Sequence, residues 1–568
     1  MLQKHTYMTA VQPLRSWIAG VAAAATLGGA MSVPLPVWAA DAAAAKQCES
    51  LTSLSGGDLK ITRARLVEQP LSVRQAQDSA VGGTPGNLAE RGEETRAPFC
   101  RVEVTIVPAP GADIRTEVWL PTKDKWNGRV LGTGNGASAG AIQYNVLVEG
   151  VTMGYAVTNT DVGTHTGAPV YEDPASFRFG YNPELRTNYV WRGIHLMTEA
   201  SKKIVAAYYA KPHEKALFVG CSTGGGEAAA ELQRFPEDYD GIIMGSPGIY
   251  FAHLGLFQGY AYAATHKSLA HRIGRQKLPA IEAEVLRQCD MLDGVKDGVI
   301  ESPRICKFKP ATMQCKGVEQ DDCLTAPQVE ALTKIYDGLK NPRTGEVYYY
   351  GLQPGVEGAD AARVRIAQES IGSVINPTQF GPLAWVLGPD WKADNWLTFD
   401  WDKGSEDLIK KFEEFGNNKT NILPFTNRGG KLIMWAGWGD PNFPEFNTAR
   451  YYEEAGEFVG PQKDQSMRMY LAPGVYHCRG GPGPNQFGQA PNAFDMSPEK
   501  NLVVALDQWV SKGIAPKAMI ATKFEDDNVK KRAIRTRPVC PYPQVAKWDG
   551  KGSTDDHKSF SCVTPPQE

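Results

Sequence analysis

The chain has 568 residues, long enough for a large core and more than one compact unit, and its 42% hydrophobic content is that of a folded globular protein rather than a disordered one. Its 60 basic and 63 acidic residues are mixed along the sequence and leave a formal net charge of -3. That balance excludes the basic footprint of a nucleic-acid binder or of a protein drawn to an anionic membrane.

The first forty residues differ from the rest. Lys4 and Arg15 precede an apolar, Ala-rich run from Trp17 to Met31, and small residues follow at Ala39 and Ala40. This predicts a signal peptide over residues 1–40 and a secreted or periplasmic mature protein without a membrane span, because the run is short and broken by Gly and Ser. Ten cysteines follow the leader, and no C-x-x-C pair occurs among them. An even count in an exported chain points to disulfides rather than zinc.

Residues 102–120 alternate polar and apolar around Pro110-Gly111, as antiparallel strands do. A strand at Arg129-Val130-Leu131 runs into the Gly-rich turn Gly132-Thr133-Gly134-Asn135-Gly136, and Tyr155-Ala156-Val157-Thr158 is a further strand. Apolar residues at helical spacing predict a helix from Val190 to Tyr209. Next come a strand at 216–219, a turn at Ser222, a helix from Gly226 to Phe235 and a strand at 241–244. Alternating strands and helices with apolar strands predict a parallel sheet covered on both faces. The rhythm stops between about 248 and 425, then resumes with strands at 431–435 and 467–471 and a helix from Asn501 to Trp509. The expected organisation is an α/β catalytic domain, 41–247 with 426–568, interrupted by a lid domain over 248–425.

Gly220-Cys221-Ser222-Thr223-Gly224 fits G-x-S-x-G between a strand and a helix, the context in which a serine hydroxyl stands above the sheet. A serine is a weak nucleophile until a histidine takes its proton, and that histidine needs a carboxylate to fix its tautomer. In the chain order serine, acid, histidine of the α/β-hydrolase fold, His477 lies in the loop after the strand at 467–471. Asp440 ends the strand before it, whereas Asp400 and Asp402 lie in the expected lid and His557 in a polar tail. His165 and His195 receive no role. If Ser222 and His477 touch, the adjacent Cys221 and Cys478 become natural partners for a disulfide. The oxyanion donors expected are the backbone amides of Thr223 and of Ala137, or Gly136 beside it. No Walker or complete dinucleotide fingerprint is present, so phosphate chemistry and an organic cofactor are not expected.

Four motifs together resemble the tannase and feruloyl esterase family: Cys-Ser-x-Gly-Gly at 221–225, Cys-Asp-x-Leu-Asp-Gly-x-x-Asp-Gly at 289–298, His-Cys-x-Gly-Gly-Pro-Gly at 477–483 and Arg-Pro-x-Cys-Pro-Tyr-Pro at 537–543. The resemblance covers nearly the whole mature chain. It implies the α/β-hydrolase fold, hydrolysis of esters of aromatic acids such as gallate and ferulate, and the bridge Cys221–Cys478. It also implies Cys48–Cys100, Cys289–Cys306, Cys315–Cys323 and Cys540–Cys562. By themselves Asp290, Asp293 and Asp297 fit either a solvated Asp-Gly turn or a hard-cation site, and they do not fall at EF-hand spacing. The resemblance implies structural calcium, held by those three carboxylates and the carbonyls of Val295 and Val299.

The expected lid carries Trp385, Trp391, Trp396, Phe399 and Trp401, and Phe443 follows Asp440. Most of these rings belong to a lid core, and Trp385 is the one expected against an aromatic substrate. A related branch cleaves terephthalate monoesters and grips the free carboxylate with a lid arginine. The corresponding stretch between Trp385 and Trp396 offers only the cation Lys392, which counts against that substrate. The expected partner is thus a small aromatic ester, with no obligate protein partner. Two other readings stay open, a calcium-bound binding protein on a hydrolase scaffold and an acyltransferase that uses the same acyl-enzyme.

Overall fold

In the computed structural model, residues 42–79, 93–164, 177–359, 366–367 and 381–565 are described, and the leader expected over 1–40 and His165 lie outside them. The sheet begins with strands whose residues alternate, β1 (Leu59–Val67), β2 (Phe99–Ile106) and β3 (Ile114–Pro121), each antiparallel to the next. Strands buried along most of their length follow: β4 (Arg129–Thr133), β5 (Ala156–Thr160), β6 (Lys215–Cys221) and β7 (Gly241–Gly245). A short ribbon of β8 (Leu339–Lys340) and β9 (Val347–Tyr349) precedes β10 (Lys431–Gly437) and β11 (Met467–Ala472). The nine-stranded sheet has the order β1-β2-β3-β5-β4-β6-β7-β10-β11 and is parallel from β5 to β11.

Two separate cores flank this sheet, and successive residues of one strand enter opposite ones. Ala216 and Phe218 of β6 face a core that also takes Ile194, Met197 and Ile204 from the helix Gly193–Tyr209, and Ala228, Ala229 and Leu232 from the helix Thr223–Arg234. Leu217 and Val219 face the other, with Leu502, Leu506 and Trp509 from the helix Leu502–Lys512. Burial on both faces explains why these strands read as continuous apolar runs.

Lys431 pairs with Gly241 and Trp435 with Gly245, so β7 and β10 are neighbours although a long segment separates them in sequence. That segment is mostly helical among its described residues, with helices Phe251–His266, Leu278–Cys289, Ala326–Asp337 and Lys403–Phe412. Five disulfides join Cys48–Cys100, Cys221–Cys478, Cys289–Cys306, Cys315–Cys323 and Cys540–Cys562, the pairing that the resemblance implied. Sequence patterning did not reveal β1 or the C-terminal ribbons β12 (Met519–Phe524) with β13 (Ala533–Val539) and β14 (Val545–Trp548) with β15 (Phe560–Val563). β1 lies at the sheet edge and carries Lys60, Arg63 and Arg65, and the half-exposed ribbons have no clean apolar alternation. No helix of the described residues is long and apolar enough to cross a membrane.

Candidate active site

β6 ends at Cys221, and the helix Thr223–Arg234 starts one residue after Ser222, which bridges them with φ 66° and ψ -123°. A side chain rarely adopts that backbone conformation, and surrounding hydrogen bonds must hold it. Ser222 N donates to Gly245 O at 3.1 Å, and Ser222 O accepts from Gly226 N at 3.1 Å and Gly248 N at 2.7 Å. The glycines of the motif follow from close approach: a Cβ on Gly220 would lie 2.1 Å from Gly224 O, and one on Gly224 would lie 2.8 Å from Asn135 O.

His477 stands in the loop after β11 and joins the serine to the acid. Its Nε2 is 2.8 Å from Ser222 Oγ and its Nδ1 is 2.8 Å from Asp440 Oδ2. A carboxylate only accepts, so Nδ1 carries the hydrogen and Nε2 is left to accept that of the serine hydroxyl. Asp440, 2% exposed, is fixed in turn because its Oδ1 accepts from the amides of Asn442 at 2.8 Å and Phe443 at 3.1 Å. The Phe443 ring lies 5.2 Å from the imidazole. Cys221 and Cys478, the immediate chain neighbours of Ser222 and His477, are bonded to one another. The three residues singled out in the sequence are therefore in contact.

The Gly-rich turn after β4 packs against the N-terminal end of the serine helix. Gly224 N donates to Asn135 O at 2.7 Å, and the carbonyl of Ala137 accepts from Thr223 Oγ1 at 2.5 Å and from Tyr189 OH at 3.1 Å. Thr223 opens its helix, so its amide has no intrahelical acceptor. Ala137 is beside it, with φ 51°, and its recorded contact with Thr223 runs through its carbonyl.

Three polar residues here escaped the sequence reading: Tyr189, Asn135 and Glu227. Glu227 is 2% exposed, and burial pushes its carboxyl up to about 7 against the opposing pull of its hydrogen bonds from Asn135. The available signal was an acid in a helix whose neighbours Ala228, Ala229 and Ala230 are all apolar.

Beside Thr223 lies a small depression lined by Tyr189, Phe251, Trp385, Phe412 and Phe415. Trp385 is anchored by its indole N–H, which donates to Phe177 O at 2.8 Å, and meets the Tyr189 ring edge-on at 5.7 Å. Trp391, Trp396, Phe399 and Trp401 instead pack on one another within the insertion.

On the acidic loop, Asp290 Oδ1 accepts from the amides of Asp297 and Gly298 at 3.1 Å each, and Asp293 Oδ1 accepts from Val295 N at 2.8 Å. Burial pushes the Asp293 carboxyl up to about 6, and the like charges of Asp297 and Asp290 push the same way. Asp297 Oδ1 accepts from Val299 N, while its Oδ2 pairs with Arg537 at 2.5 Å and Arg535 at 3.2 Å. Among the described residues, the group of three potential metal ligands whose donor atoms fall within 4.8 Å of one another is a different one, His195, Glu231 and Asp238. There the His195 ring bonds Asp238 directly at 2.7 Å and Lys202 holds the other Asp238 oxygen at 3.2 Å, an ion-paired network rather than an open cage.

A mostly parallel sheet with a serine at a strand-to-helix turn, bonded to an imidazole and a buried carboxylate, places the chain in the α/β-hydrolase class. Within that class it belongs to the tannase and feruloyl esterase family, whose sequence profile matches residues 100–563. An uncharacterized esterase of Xanthomonas campestris pv. campestris is 33% identical over 495 residues, covering 83% of this chain and 85% of that protein. A protein of Aspergillus flavus named "Probable feruloyl esterase B-2" is 33% identical over 461 residues, covering 78% and 84%. The crystal structure of feruloyl esterase B from Aspergillus oryzae shares the fold with a TM-score of 0.80 at 24% identity, covering 92% of this chain and all of that one. The chain is a carboxylic ester hydrolase.

Proposed function

We propose that this chain is an exported serine esterase that releases aromatic acids of the hydroxycinnamic or gallic type from their esters. The observation that carries the reading is the pair of 2.8 Å contacts linking Ser222, His477 and Asp440, with Thr223, the next residue after the serine, lining a depression among aromatic rings. In this cycle His477 Nε2 takes the Ser222 proton as Oγ attacks the ester carbonyl, and the amides of Thr223 and Ala137 stabilise the oxyanion. The imidazolium then protonates the departing alcohol. Water, deprotonated by the same nitrogen, attacks the acyl-enzyme and frees the acid. The flat walls favour a planar acyl group, with Trp385 against it, and the insertion 248–425 acts as the lid that carries this wall. Export is supported by the basic-apolar leader and by the pairing of all ten cysteines.

The acidic loop suits structural calcium. Asp290, Asp293 and Asp297 place three carboxylates on one tight turn, and the hydrogen-bonded ion pairs that Arg535 and Arg537 make with this loop go to Asp297. The carbonyls of Val295 and Val299 would complete the set, and the ion would fasten the insertion rather than take part in the chemistry. Dialysis against a chelator should lower Tm, and added Ca2+ should restore it in the parent but not in Asp293→Asn; a Tm indifferent to chelator would remove calcium from the account.

The deciding experiment compares rates on methyl gallate, methyl ferulate and a terephthalate monoester, with and without an added alcohol, for the parent and Ser222→Ala. Hydrolysis of the first two that disappears in the variant is expected. Faster turnover of the terephthalate monoester would move the chain to that branch, ester product formed from the added alcohol would make it an acyltransferase, and no turnover at all would leave a binding protein on a hydrolase scaffold.

A further inference from the structure

The helix that presents the nucleophile also holds the Gly-rich turn, and it does so through one buried acid. Glu227 lies about one helical turn beyond Thr223. Its Oε2 accepts from Asn135 N at 2.8 Å and its Oε1 from Asn135 Nδ2 at 3.3 Å, while Asn135 O accepts from Gly224 N. Asn135 is thus clamped at its amide, its carbonyl and its side chain by two residues of the serine helix, and Ala137 follows two residues later. The fit is tight: a Cβ on Gly134 would meet Gly224 Cα at 2.5 Å and Glu227 Oε2 at 2.9 Å.

Packing alone gives no reason for an acid here. A buried carboxyl pays a desolvation penalty that an apolar side chain of similar size avoids, and the next three residues are alanines. What Glu227 supplies is an acceptor for a buried backbone amide that would otherwise be left unpaired, at the place where the turn must be held still. We propose that Glu227 is a positioning residue, whose bonds to Asn135 fix the Gly134–Ala137 turn against the serine helix so that an amide of the turn meets the oxyanion. The inference rests on the serine-esterase reading above. It makes the oxyanion donors a preorganised unit, in which small displacements lower the rate without weakening ground-state binding.

Asn135 Oδ1 is buried without a hydrogen-bond partner. A glutamine at 227 can accept from Asn135 N through its oxygen and, once the Asn135 side-chain amide turns over by 180°, donate through its own amide to Asn135 Oδ1, which predicts rescue by Glu227→Gln. Glu227→Ala removes the acceptor, and Glu227→Asp keeps a carboxyl but is one methylene too short to reach.

The test measures kcat and KM on p-nitrophenyl acetate, which needs only a working serine and oxyanion site, together with binding of phenylboronic acid, which adds to the serine as a tetrahedral anion, and of ferulate as a product. For Glu227→Ala and Glu227→Asp, kcat should fall by about 10²-fold, boronate affinity should fall in parallel, and KM and ferulate affinity should hold. Hydrogen exchange should quicken in the peptide spanning Gly134–Ala137, and Glu227→Gln should recover most of the loss. Unchanged kcat in a folded Ala or Asp variant, or a Gln variant as impaired as Ala, would overturn the proposal; if Ala does not fold, Asp and Gln decide it. A parent inactive on p-nitrophenyl acetate would instead sink the esterase reading itself, and an active parent that ignores aromatic esters would change only the substrate.

Discussion

Asp440 shows how much depends on one acceptor. Its Oδ1 is held by two backbone amides, which leaves Oδ2 a single direction in which to receive the Nδ1–H of His477. In Asp440→Asn the side-chain amide can offer a donor there, the ring takes the opposite tautomer, and Nε2 can no longer accept the serine proton. The expected result is a kcat lower by about 10⁴-fold with KM little changed, read by steady-state kinetics. Serine, acid and histidine were legible because each sits at a strand end with a fixed place in chain order. Glu227 and Asn135 were not, because a hydrogen bond between residues this far apart leaves no local pattern.

At the scale of the element, the turn between β6 and its helix is a steric construction. Gly224 faces Asn135 with no room for a methyl group, the nearest atoms being backbone at 2.8 and 3.0 Å. Gly224→Ala must push the two turns apart, so activity should fall by about 10²-fold and stability by about 1–3 kcal/mol, measured by kinetics and chemical denaturation. The Cys221–Cys478 bridge ties the turn carrying Ser222 to the loop carrying His477, two segments with no other covalent link nearby. Graded reduction should therefore abolish activity before far-UV circular dichroism changes, and the double variant Cys221→Ser/Cys478→Ser should fold with reduced kcat. Loss of activity and structure at one reductant concentration would make the bridge part of global stability only.

Across the whole molecule, buried acids set a pH dependence of stability. Glu357 is 1% exposed, accepts from Tyr336 OH and from Gly355 N, and burial pushes it up to about 7. Because its folded value is raised above the unfolded one, its stabilising contribution is complete below about 4.3, the ordinary glutamate value, and is lost as pH rises through about 7. Tm should thus decline between these limits, and the decline should be shallower in Glu357→Gln, as followed by differential scanning calorimetry. Equal slopes for the two proteins would show that Glu357 is not the group responsible.

The sequence by itself determined the elements whose signals are local. Apolar runs such as 216–219 and 431–435 became central parallel strands because burial on both faces demands such runs. The glycines around Ser222 announced a turn that tolerates no side chain. Only the tertiary structure decided which distant segments meet: that β7 and β10 are neighbours across the insertion, that Trp385 lines the depression beside Thr223 while the other lid tryptophans face one another, and that Glu227 receives the amide of Asn135. Local pattern follows from the backbone's own periodicity and sterics. Contacts between remote segments follow from how whole faces pack, and no single stretch of sequence contains that information.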